Sequence, residues 1–152
     1  MNTTVPPPAE LRLIVGYDGS PPAIRALDGA VRLLLGRIGR IHVVYVAHMP
    51  SMAALSATAV TELETGFDDI EQELRTMAAD QLHGLDQNWD FQRREGMVAE
   101  ELILTAKDLS AADPQATVAI IVGSSSAVTH RVVGSIAVSL ARHSPVPLVV
   151  VP

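Results

Sequence analysis

Leu11-Arg12-Leu13-Ile14-Val15-Gly16-Tyr17-Asp18-Gly19-Ser20-Pro21 decides the fold. The run from Leu11 to Tyr17 is almost continuously apolar at its centre, as expected of a strand covered on both faces. It stops at Asp18-Gly19-Ser20. Ser20 is a helix cap, and Pro21 suits a first helical position, where no amide hydrogen is required. A buried strand that turns directly into a helix is the opening of a parallel α/β sheet.

Downstream the alternation continues. Ala23, Leu27, Ala30, Val31 and Leu34 recur at helical spacing, and Gly36 and Gly39 end that helix. Ile41 to Ala47 reads as a second apolar strand, and residues 48–57 as a loop in which Met49 and Met52 flank Pro50. A long helix is expected from about Thr58 to Asp86, with Leu63, Phe67, Ile70, Leu74, Met77, Leu82 and Leu85 as its inner stripe. The acidic stretch from Glu62 to Glu73 reads most simply as its solvated face. A weak strand at Asp90 to Glu95 and a helix from about Met97 to Ser110 follow. Asp113-Pro114 breaks the chain. Then come a strand at Thr117 to Val122, a loop from Gly123 to Val133, a short helix from about Ser135 to Arg142 and a last strand at Val146 to Val151. Five strands and four helices in alternation imply a mainly parallel sheet with helices on both faces, a three-layer αβα sandwich. In such a sheet the ligand crevice lies at the carboxyl ends of the strands, here Asp18 to Ser20 and Gly123 to Ser126.

Composition narrows the function. Hydrophobic residues make up 48% of the 152 residues but aromatics only 3%, so the core is aliphatic. With no cysteine there are no disulfides, thiolate metal sites or cysteine nucleophiles. A formal charge of -6 argues against a general nucleic-acid binder and suits a cytoplasmic protein. No apolar run reaches the roughly 20 residues of a membrane span. Met1 to Glu10, with Pro6, Pro7 and Pro8, reads as a disordered lead-in rather than a signal sequence, leaving residues 11–152 as one domain. The five histidines show no metal-site spacing, and no serine–histidine–acid or paired-carboxylate set is evident. No lysine lies in a crevice loop, and no P-loop or dinucleotide fingerprint is present, so no enzyme is expected.

Ile14-Val15-Gly16-Tyr17-Asp18-Gly19-Ser20 resembles the opening of universal stress proteins. Gly96 followed by Ala99 and Leu102 is similar to the start of the family's third helix. Val122-Gly123-Ser124 through Gly134-Ser135 to Pro147-Leu148-Val149-Val150-Val151 resembles its carboxyl-terminal block. The resemblance implies strand order 3-2-1-4-5, a homodimer through the last strand, and a site for ATP or another adenine nucleotide. By the same resemblance, Asp18 meets a ribose hydroxyl and the backbone of Val46 meets adenine. Gly123, Ser124 and Ser126 lie against ribose and phosphate, and Gly134 and Ser135 present helix-start amides to phosphate. The family's glycine signature is incomplete here. Ser126 stands where a second glycine belongs, and only seven residues, Ala127 to Val133, separate it from Gly134. His130 and Arg131, in that loop, are candidates to supply charge in place of the missing amides. Two functions therefore stay open: a nucleotide-responsive stress protein, and a dimeric interaction module that binds no nucleotide.

Overall fold

The computed structural model describes residues 9–48, 55–85, 88–127, 130–132 and 134–152. The elements are β1 (Leu11–Gly16), α1 (Pro21–Leu34), β2 (Gly39–Ala47), α2 (Ala57–Gln81), β3 (Trp89–Glu95), α3 (Val98–Ala112), β4 (Thr117–Gly123), β5 (Ser125–Ala127), β6 (His130–Val132), α4 (Ser135–His143) and β7 (Leu148–Val151). The main sheet runs β3-β2-β1-β4-β7, and all of its pairings are parallel. This is the five-stranded order 3-2-1-4-5 that the resemblance implies, with β7 as fifth strand.

Alternation along the strands divides the core in two. Leu13, Val15 and Tyr17 of the β1 segment pack with α1 and the end of α2, against Leu27, Ala30 and Leu74. Ile14 points the other way, with Val44 and Ile120, onto Leu102 and Ala106 of α3 and Leu140 of α4. Burying each such aliphatic side chain stabilises the fold by about 1.5–3 kcal/mol. Both faces of β1 are therefore sealed, which is why its sequence is apolar without a polar alternate.

Several boundaries differ from those the sequence suggests. Gly39 opens β2 rather than ending the first helix. The long helix stops at Gln81, where His83 Nδ1 turns back to within 2.8 Å of the Asp80 carbonyl. The last strand begins at Leu148, because Ser144 Oγ holds both the Val146 amide and carbonyl, and Pro147 has no amide hydrogen to give a neighbour. The stretch expected as a loop after Gly123 contains an antiparallel pair, β5 with β6, in which Ser126 is opposite Arg131. Of the inner stripe of the long helix, Leu74 and Leu82 are buried and Phe67, Met77 and Leu85 pack partly against the core, whereas Ile70 is 43% exposed. Met49 and Met52 lie outside the described residues, as do residues 1–8. Glu10, at the end of the expected lead-in, accepts a hydrogen bond from the Thr117 amide at 2.8 Å.

Candidate functional site

A crevice of about 330 Å³ opens at the carboxyl ends of β1, β2 and β4. This is the end at which a parallel sheet places ligands, next to the strand where the order reverses. Val44, Val46 and Val122 form its floor, and Val98 and Leu102 of α3 close it from behind. Asp18, Ser20 and Pro22 form one wall, and Gly134, Ser135 and Ala137 at the start of α4 form the other.

The Asp18 wall is built by local chemistry. The Tyr17 amide still follows the sheet and donates to the Val44 carbonyl at 2.9 Å. Asp18 Oδ1 then accepts from the Ser20 amide at 3.0 Å, a short side-chain turn that ends the strand. Ser20 Oγ accepts from the Ala23 amide at 3.4 Å and starts α1. Gly19 bridges them at φ +74°, a left-handed angle that side chains disfavour. Asp18 is left exposed, with one carboxylate oxygen engaged by the turn and the other without a partner among the described residues. Beneath it, burial first and then the nearby Asp18 and Asp28 charges push the Tyr17 phenol above its ordinary pKa. The phenol therefore stays protonated at neutral pH.

The α4 wall has the opposite polarity. Gly134 caps α4 with no side-chain hydrogen bond, so the first-turn amides have no capping acceptor from that residue. They carry the positive end of the helix dipole toward the crevice. Asp18 is the only carboxylate in the described lining, and the side chains of His130 and Arg131 lie outside the described residues. No three metal-binding side chains come together among the described residues.

Of the residues singled out from sequence, Asp18, Val46, Gly123, Gly134 and Ser135 line the crevice. Ser124 does not line it. Its amide donates to the Val151 carbonyl at 2.8 Å and its carbonyl accepts from Arg25 Nη2 at 3.0 Å, so its backbone ties β4 to β7 and α1. Ser126 is placed in β5 with Arg131 opposite it, and its side chain lies outside the described residues. Gly123 has a second reason to be glycine. A Cβ there would overlap the Pro22 carbonyl and come within 2.7 Å of Pro22 Cα, so α1 can start this close to β4 only without a side chain. Sequence reasoning covered Ser125 only as part of the Gly123 to Ser126 loop, and it missed Val98 and Leu102. Period-two alternation from Gly123 points to Ser125 rather than Ser124, and that signal was available.

Residues 11–152 match the profile of the Universal stress protein family. The chain belongs to that family. Solved universal stress proteins share its fold. One from Burkholderia pseudomallei is 23% identical with a TM-score of 0.67, covering 93% of this chain and 95% of that one. Another, in complex with cAMP, is 19% identical with a TM-score of 0.66, covering 95% and 99%. A universal stress protein family member from Arabidopsis thaliana with AMP bound is 10% identical with a TM-score of 0.63, covering 93% and 90%. No curated protein sequence matches the chain.

Proposed function

We propose that this universal stress protein binds an adenine nucleotide in the crevice between Asp18 and the start of α4, and acts as a non-catalytic, cytoplasmic stress-response regulator. The observation that carries the proposal is the polarity of the two walls. A carboxylate oxygen suited to a ribose hydroxyl faces uncapped helix amides suited to phosphate, across an apolar floor ending at Val46 that suits a base. Fold relatives with cAMP and AMP bound support the same reading.

The dimensions favour a nucleotide with one phosphate over ATP. A volume of about 330 Å³ is at the small end for ligand pockets, which run from roughly 300 to 1,000 Å³. In this reading Gly134 and Ser135 give amides to that phosphate, Ser125 contributes a hydroxyl, and Asp18 orients the ribose. Ser124 acts through the backbone by shaping the β4 exit. No helix among the described residues is long and apolar enough to cross a membrane.

We also infer a homodimer through β7. The two sheet edges differ in kind. The β3 edge is guarded by charge: Asp90, Arg93, Arg94 and Glu95, all four in ion pairs. The β7 edge is Leu148-Val149-Val150-Val151, half-buried and uncharged, so its free backbone groups are open to a second copy.

Calorimetric titration with AMP, cAMP, ADP and ATP tests the ligand. Heat with AMP or cAMP, weakened in Asp18→Ala, is expected. Silence with all four at millimolar ligand would leave the interaction module, which the shortened loop after Ser126 favours.

A further inference from the structure

The first half of α2 carries apolar residues that neither core cluster includes. Val60, Leu63, Phe67, Ile70, Leu74 and Met77 recur at alternating spacings of three and four, the a and d positions of a heptad seam. Leu74 enters the core and Phe67 and Met77 pack partly against it, but Val60, Leu63 and Ile70 join neither core cluster. Ile70 is 43% exposed, and Val60 and Leu63 are half-buried.

Charge along this half of the helix has one sign. Between Ala57 and Glu73 there are six acidic residues and no Lys or Arg. Glu64, Glu71 and Glu73 fall on the e and g positions that flank a seam and face a partner helix. Glu71 is neutralised by Arg75 at 2.8 Å and Arg93 at 3.3 Å. Glu64 and Glu73 have no ion partner among the described residues, and neither do Glu62 and Asp69 further out. A second copy of this helix would set glutamates against glutamates along the seam, which disfavours self-pairing. A helix with Lys or Arg at those positions meets both the stripe and the flanks.

We propose that residues 57–73 of α2 form a docking face for a basic amphipathic helix of a partner protein, seated in coiled-coil fashion on Val60, Leu63 and Ile70. This is separate from the nucleotide crevice and stands or falls independently of it.

The probes are two short synthetic helices with Leu at a and d, one with Lys and one with Glu at e and g. Backbone amide shifts of the full chain report where each binds. The Lys helix is expected to bind with its footprint on residues 57–73, and the Glu helix is not. Raising salt from about 50 mM to about 300 mM should weaken binding by about tenfold. Val60→Glu and Leu63→Glu, which disturb neither core cluster, should abolish the footprint with the fold intact. Glu64→Lys with Glu73→Lys should transfer the preference to the Glu helix. Equal binding of both helices, or a footprint elsewhere, overturns the proposal. So do α2 shifts that follow protein concentration without peptide, which assign the face to a second copy. Binding that needs residues 49–54 removed first assigns the face to the chain itself and also overturns it.

Discussion

Gly123→Ala should cost the protein stability before any ligand is considered. The added methyl would overlap the Pro22 carbonyl and press on Pro22 Cα at 2.7 Å, and both belong to backbone rather than to a side chain that can swing away. Pro21 and Pro22 stiffen that first turn of α1, and Arg25 ties the same helix to the Ser124 carbonyl. Relief therefore requires α1 to move off the sheet and loosen Ala23, Ala26 and Leu27, which are all buried. Overpacking of this kind costs about 1–3 kcal/mol, and a backbone clash belongs at the upper end. At about 2–4 °C per kcal/mol for a chain of this size, Tm should fall by roughly 6–12 °C. Gly134→Ala is the control. A Cβ there would meet only Ser125 Oγ at 3.4 Å, and the residue's φ of -62° suits any side chain, so stability should change by less than about 1 kcal/mol. Urea and thermal unfolding of the ligand-free protein read both. A Gly123→Ala protein with the wild-type midpoint would refute the packing argument and return Gly123 to a ligand-only role.

Other perturbations follow from the same geometry. Burial opposes the charged form of Asp90, but the hydrogen bond and charge of His42, with help from Arg40, outweigh it and hold the carboxyl below its ordinary pKa. Its contribution is therefore present above the unfolded value near 3.8 and lost as pH falls through the folded one. Urea midpoints measured downward from pH 5 should fall more steeply in wild type than in Asp90→Asn, and parallel curves would refute this. Ser124→Ala should leave ligand affinity within about twofold, since only the backbone of Ser124 is engaged, and Ser125→Ala should lower it more. By sedimentation, Val150→Lys should turn a wild-type dimer into a folded monomer, and a dimer that survives the change speaks against β7 as the seam.

How much of this was legible from sequence depends on the distance over which each feature is decided. The strand at Leu11 to Tyr17 and its turn into α1 are local, because an apolar run, an aspartate turn and a serine cap lie within eleven residues. The crevice wall at Asp18 was legible for the same reason. The clash that keeps Gly123 a glycine involves Pro22, a hundred residues away, and no local pattern encodes it. The resemblance puts Ser124 against ribose and phosphate, whereas its backbone ties run to Val151 and Arg25. The β5–β6 pair escaped notice because three-residue strands are too short to show alternation. The heptad stripe of α2 was visible, but periodicity shows that a face is apolar without showing what packs against it.

The central claim is that Asp18 and the start of α4 hold the two ends of one nucleotide. An amide-shift titration with AMP tests it most directly. The account predicts saturable shifts at Gly16 to Ser20 and at Gly134 to Ala137 together, with one midpoint, and their joint loss in Asp18→Ala. Shifts at only one wall, different midpoints for the two walls, or an unchanged spectrum at millimolar AMP would contradict it.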